Sequence, residues 1–203
     1  MEIPRTGFKT WSLFLICAQD WVSPEKSADL ANLYRRFKGF GDAIGKDNVA
    51  VWFWKQRLPI TDARLADNVD VPRSVDYCST LRLVPSEGPF LVITAAYPEL
   101  PAFPQERAVY ALGAMPSPAL ATLLNKLTDQ LVLGGKVAAP APPSSTVASG
   151  APASTLGEPP ASTNFWMQFL EAAQRSIIGV GCNVKLQINT GLLSAELRGC
   201  PPR

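Results

Sequence analysis

Residues 11–26 read Trp11-Ser12-Leu13-Phe14-Leu15-Ile16-Cys17-Ala18-Gln19-Asp20-Trp21-Val22-Ser23-Pro24-Glu25-Lys26, and they carry a strand, a turn and a helix start in succession. Residues 11–18 are apolar and aromatic-rich, which suits a buried strand. Ser23-Pro24-Glu25 has the marks of a helix N-terminus: a Ser cap, Pro at the first helical position and an acid in the first turn. Behind it, Leu30, Leu33, Tyr34, Phe37, Phe40 and Ile44 recur at helical spacing and form one buried stripe. Gly45 follows as the stop.

Working outward, residues 48–54 read as a second buried strand, with Val49, Val51 and Phe53 alternating with Ala50, Trp52 and Trp54. Apolar residues on both sides predict a central strand, with Trp52 and Trp54 packing on its two faces. Residues 60–71 are polar and carry no clear period. Residues 73–83 suit a helix, and 90–95 and 107–112 suit two further strands joined through Pro98, Pro101 and Pro104. Ser117-Pro118 repeats the helix-start signal, Leu120, Leu123, Leu124, Leu127 and Leu131 supply a stripe, and Gly134-Gly135 ends it.

The resulting order, β-α-β-(α)-β-β-α, resembles the thioredoxin-like fold, and local landmarks line up over about residues 10–134. In that family the first strand runs into a Trp-Cys-Gly-Pro-Cys-Lys turn that opens a long helix. The same place here reads Trp21-Val22-Ser23-Pro24-Glu25-Lys26. The family also has a cis-proline that opens a later strand and faces the turn; Gly88-Pro89-Phe90-Leu91-Val92 matches it, with Pro89 as the candidate. A strand ending in Gly and then a capped helix are matched by Gly113 and Ser117-Pro118. The stretch 56–87 matches poorly.

The departure from the family bears on chemistry. Thiol–disulfide exchange needs an attacking thiolate and a resolving thiol within reach of each other, and Val22 and Glu25 stand where the two cysteines would be. The resemblance therefore implies a redox-inactive member. It keeps a protein-binding surface made by Trp21, Val22, Ser23, Pro24, Gly88 and Pro89, a surface that in active relatives holds extended peptides. Each residue also has a plainer role: Trp21 packing on the helix, Ser23 and Pro24 as helix cap, Glu25 favoured by the helix dipole, Pro89 setting backbone geometry, and Arg35, Arg36 and Lys38 forming a solvated face.

Composition narrows the classes further. The chain has 203 residues, 47% hydrophobic and 18% charged, enough for one folded domain with additional material. Its 19 Lys+Arg against 17 Asp+Glu leave +2, without the basic excess of a nucleic-acid binder. There is no histidine, which removes Ser-His-Asp and Cys-His nucleophiles and histidine metal sites. Cys17, Cys78, Cys182 and Cys200 lack zinc or CxxC spacing. Cys17 and Cys78 read as small core hydrophobes, and neither a metal nor a cofactor is expected. Pro4 and Gly7 break the first residues, and the run 11–18 is too short for a signal core or a membrane span. A reducing cytoplasm is the default expectation.

Residues 137–163 change character: they are mostly Ala, Pro, Ser, Thr and Gly, with Glu158 the lone charged residue. This composition reads as a flexible linker that would span roughly 30 Å as a coil. The domains are thus residues 8–135, a linker at 136–163, and a module at 164–203. In the module Asn164 caps a helix to about residue 178, with Phe165, Trp166, Phe169, Leu170, Ala173 and Ile177 on one face. Val180, Cys182, Val184, Leu186 and Ile188 alternate along a strand, and Leu193, Ala195 and Leu197 along the next. A turn at Thr190-Gly191 pairs Ile188 with Leu193, Leu186 with Ala195 and Val184 with Leu197. That register sets Cys182 and Cys200 on opposite faces and disfavours a bond between them.

A helix and hairpin of this size is marginal alone, so its apolar face must cover something. The long linker favours a tethered docking module over simple back-folding. Phe165, Trp166, Phe169, Leu170, Ile177, Val184, Leu186, Ile188, Leu193 and Leu197 would make the contact. A membrane is disfavoured by the sparse charge of the helix. The functional expectation is a non-catalytic adaptor or scaffold subunit with protein partners, homo-oligomers included. The alternatives are a glutathione-dependent enzyme using Ser23, and a membrane-acting C-terminal segment restrained by the first domain.

Overall fold

The computed structural model describes residues 2–56, 64–134, 169, 185–189 and 194–198. β1 (Thr10–Leu15) is buried along its whole length. The period of two divides its residues between two cores: Phe14 and then Ile16 face one side of the sheet, and Leu13, Leu15 and Cys17 the other. After a 3₁₀ turn at Gln19–Val22 and another at Pro24–Lys26, α1 runs over Ser27–Ala43. The expected stripe buries Leu30, Leu33, Phe37 and Phe40, and Gly45 takes φ +80°, the left-handed conformation that ends the helix.

β2 (Asn48–Trp52) lies parallel to β1. Its start is pinned by a buried joint: Thr10 Oγ1 donates to Asn48 Oδ1 at 2.7 Å, and Asn48 Nδ2 donates to the Ile44 carbonyl at 2.7 Å. A short helix, α2 (Leu65–Asn68), falls in the polar stretch that carried no period. α3 (Val71–Leu81) follows, capped by the Asp70 carboxylate accepting from the Arg73 N–H at 3.1 Å.

β3 (Phe90–Thr94) is fully buried and antiparallel to β1, and β4 (Arg107–Ala111) is antiparallel to β3. α4 (Ser117–Gly134) buries Leu120, Leu123, Leu124, Leu127 and Leu131 beside α1. The peptide bonds Gly88–Pro89 and Leu100–Pro101 are both cis.

β5 (Lys185–Asn189) and β6 (Ser194–Arg198) form a hairpin, and β5 lies antiparallel to β4. The sheet order is β2-β1-β3-β4-β5-β6. α1 and α4 cover one face and α3 the other, so the architecture is a mixed α/β sheet between helical layers. The arrangement of β1 to β4 with these helices is compatible with a thioredoxin-like fold.

Three expectations are corrected. β2 is an edge strand of the described sheet, not a central one. Its two apolar sides come from helices on both faces, Trp52 packing toward α1 and Val51 and Phe53 toward α3. Trp52 and Trp54 share one face, as residues two apart on a strand must, and their rings stack at 5.5 Å. The hairpin register is shifted by two residues: Ile188 stands opposite Ala195 and Leu186 opposite Leu197. The shift keeps the side-chain parity that the alternation demands.

The linker expected at 136–163 lies outside the described residues. Of the C-terminal module, β5 and β6 extend this chain's own sheet, and helical Phe169 is buried in the core shared with α1 and α4.

Candidate functional site

The ladder registers bring three chain ends together. Leu15 of β1 is opposite Phe90 of β3, which is opposite Ala111 of β4. The turn after β1, the Gly88–Pro89 bond before β3 and the Leu112-Gly113 segment after β4 therefore lie at one end of the sheet.

At this end Trp21 is half-buried against the larger core, and the Lys26 ammonium sits 4.5 Å from its ring centroid. Val22 is half-buried on the same core, and Ser23 is half-buried. Pro24 and Glu25 are exposed. A hydrogen bond from the Ser23 side chain and another from the Glu25 backbone N–H hold the Glu25 carboxyl below its ordinary value.

Gly88 and Pro89 are buried. Their backbone groups are used internally: Gly88 N–H donates to the Pro85 carbonyl at 3.2 Å, and the Pro89 carbonyl accepts from Leu112 N–H at 2.8 Å. Gly113 N–H donates to the Glu87 carbonyl at 3.2 Å. A Cβ on Gly113 would run into the Gly88 carbonyl oxygen and come within 2.8 Å of the Glu87 oxygen, so only glycine fits this crossing.

The reading of Cys17 and Cys78 as separate core residues is corrected. Their sulfurs are bonded, with Cα atoms 5.8 Å apart and 61 residues between them in sequence. The bond ties the chain just past β1 to α3 inside the smaller core, where Cys17 is 6% and Cys78 3% exposed. Local spacing could not show this pairing. The available signal was parity, since Cys17 shares the β1 face of Leu13 and Leu15, the face that α3 covers.

Of the residues assigned to the docking module, Phe169 is buried, and Leu186, Ile188 and Leu197 fall in β5 and β6. Phe165, Trp166, Leu170, Ile177, Val184 and Leu193 lie outside the described residues, as do Cys182 and Cys200.

Sequence reading missed a groove of about 380 Å³ along β2, between the strand and α1, reached by Glu2 and Pro4. Tyr34, Trp52 and Trp54 line it and belong to an aromatic ladder that continues to Phe14. Phe14 stacks on Trp52 at 4.2 Å, Trp52 on Trp54 at 5.5 Å, and the Tyr34 ring stands edge-on to both, at 5.4 and 5.3 Å. Trp52 Nε1 is buried and has no hydrogen-bond acceptor among the described residues. At the rim Lys38 pairs with Asp42 at 2.9 Å, which holds the Lys38 ammonium above its ordinary value.

Elsewhere burial pushes the Tyr77 phenol up, and its hydroxyl donates to the Pro98 carbonyl at 3.1 Å. Burial lowers Arg107. Among the described residues no His/Cys/Asp/Glu group is placed to hold a metal ion, and no helix is long and apolar enough to cross a membrane. Comparison with protein families, with curated proteins and with solved structures finds no match to this chain.

Proposed function

We propose that this chain is a non-catalytic protein-binding adaptor built on a redox-inactive thioredoxin-like domain. The observation that carries the reading is the turn after β1. It offers Val22-Ser23-Pro24-Glu25 where the family's chemistry needs two thiols, and the cysteine closest to it, Cys17, is bonded to Cys78. Exchange chemistry requires an accessible thiolate, and both sulfurs lie in a packed core. The strand order β2-β1-β3-β4, with β3 antiparallel to its neighbours, supports the family reading.

The partner surface is the Trp21–Pro24 turn itself. Trp21 and Pro24 present a rigid aromatic and imide surface, the type of anchor that dominates protein interfaces. Gly88 and Pro89 belong to the same end of the sheet, where the Gly88 N–H and the Pro89 carbonyl are engaged by Pro85 and Leu112. The Cys17–Cys78 bond supports an oxidising compartment in place of the cytoplasm expected above, because such bonds persist where thiols are not kept reduced. The C-terminal hairpin serves the adaptor by completing the sheet beyond β4.

The test uses the full chain, since β5 and Phe169 belong to its sheet and core. The protein is assayed for reduction of a disulfide substrate in the presence of a dithiol, and for partner capture with and without Trp21→Ala. The expected result is no exchange activity above buffer and a stoichiometric partner lost in the variant. Catalysed exchange, or capture indifferent to Trp21, sinks the reading.

A further inference from the structure

The two outer strands of the described sheet are unlike. β6 carries Glu196 and Arg198, and charges of this kind keep an edge strand from pairing with another chain. β2 reads Asn48-Val49-Ala50-Val51-Trp52, with no charge, no Pro and no Gly. β1 takes one side of it, and no described strand takes the other.

The open stretch is β2 itself. Past Trp52 the backbone is engaged: the Phe53 carbonyl accepts from Asp70 N–H at 3.0 Å, and Lys55 N–H donates to the Asn68 carbonyl at 2.8 Å. Glu2 and Pro4 reach the groove, yet among the described residues no backbone hydrogen bond joins them to β2, and the Pro4 carbonyl accepts from Trp11 Nε1 at 2.8 Å. The groove meets the strand from both faces, with Tyr34, Trp52 and Trp54 on the α1 side and Val49 and Phe53 on the α3 side. Tyr34, Val49, Ala50 and Trp54 remain half-buried.

The strand is its own complement. A two-fold axis normal to the sheet at Ala50 pairs β2 antiparallel with a second β2 over all five residues. Partners then have equal parity, so each side chain stays on its own face. Val49 stands opposite the partner's Val51, and Asn48 opposite the partner's Trp52. No charge meets its own kind along the strand.

α1 extends the match. Gly41 lies close over the strand, since a Cβ there would fall 2.9 Å from the Ala50 Cβ. Lys38 and Asp42 straddle Gly41 on α1, line the groove and have exposed side chains. The axis at Ala50 reverses the second α1, bringing Lys38 toward the partner's Asp42 and Asp42 toward the partner's Lys38. The contact is thus complementary in charge with a second copy of this chain.

We propose that β2 is the two-fold interface of a homodimer, in which the sheet continues from one chain into the other through antiparallel β2 strands centred on Ala50. Main-chain hydrogen bonds along the strand supply the attachment, and the Lys38 and Asp42 pairs set its register. This surface shares no residue with the Trp21–Pro24 turn and stands without the adaptor reading.

The experiment measures the molar mass of the full-length protein by sedimentation equilibrium across a wide concentration range. Lys38→Glu and Asp42→Lys change exposed side chains and should leave the circular dichroism spectrum unaltered. Each single variant sets like charges across the axis and should weaken the dimer roughly tenfold. An equimolar mixture of the two variants regains both opposite-charge pairs and should dimerise as tightly as the unaltered protein. In the unaltered protein the β2 amides should exchange with water more slowly as concentration rises. A monomer at every concentration overturns the proposal and leaves the edge to another occupant. So does a dimer indifferent to both substitutions, a mixture no tighter than the single variants, or β2 amides whose exchange ignores concentration.

Discussion

Cys17, just past the end of β1, is bonded through sulfur to Cys78 in α3, and the bond closes a loop that contains α1, β2 and α2. Both half-cystines are buried. Closing a loop of this length restricts the unfolded chain by about 4 kcal/mol in the chain-entropy account. Urea unfolding of Cys17→Ser, of Cys78→Ser and of the double variant should therefore give three similar losses of that order. Dithiothreitol should weaken the unaltered protein and leave the double variant unmoved. Equal stability with and without reductant would mean that the sulfurs are not joined in solution.

Gly113 and Gly39 separate two meanings of glycine. Gly113→Ala forces a methyl into the Gly88 carbonyl and should cost about 1–3 kcal/mol as overpacking. Gly39 lies inside α1 with nothing within 4 Å of the position its Cβ would take. Gly39→Ala should stabilise by about 0.5–1 kcal/mol through helix propensity alone. Thermal unfolding of the pair reads both signs at once, and a stabilised Gly113→Ala would refute the close crossing.

Leu123 is fully buried where α4 meets the sheet and α1. Truncation to Ala removes its packing and leaves a cavity, costing about 2–5 kcal/mol. Val84, 51% exposed, serves as the control, with an expected change within about 0.5 kcal/mol. Chemical denaturation that failed to rank the two in this order would misplace the core.

The Glu25 carboxyl, lowered from 4.5 chiefly by the Ser23 side chain, gives a pH handle on the turn. A depressed acid adds stability that is present above its unfolded value and disappears as pH falls through its folded value. The sensitive window therefore lies below pH 4.5. Ser23→Ala should move the Glu25 titration, followed by carboxyl NMR, upward toward its ordinary position. An unmoved titration would remove Ser23 from the turn's hydrogen bonding.

Much of the fold was legible because its signals are local. The Leu stripe of α4, the apolar stripe of α1 and the continuous apolar run of β1 each depend on neighbours within a few residues. What escaped depends on distant partners. β2 looked central because helices cover both its faces, and coverage in depth mimics pairing in width. The Cys17–Cys78 bond and the crossing of Gly113 over Gly88 exist once remote segments meet. The short α2 had no period to betray it. At the turn, the missing thiols were readable from residue identity, while the burial of Gly88 and Pro89 was not. The Trp52 donor, without an acceptor among the described residues, could not be foreseen, since sequence shows that an indole exists and not whether anything accepts from it.

The pairing of β4 with β5 joins positions 74 to 82 residues apart in the chain, from Ala111 with Lys185 to Arg107 with Asn189. Synthesis at about 5–20 residues per second leaves β4 waiting several seconds before its neighbour emerges. During that interval the nascent sheet has a bare flank of unpaired amides, the kind of template on which another newly made strand can settle. The birth of this protein is therefore its most vulnerable stage, and its yield in a cell should depend on translation speed and chaperone supply as well as on the stability of the finished fold.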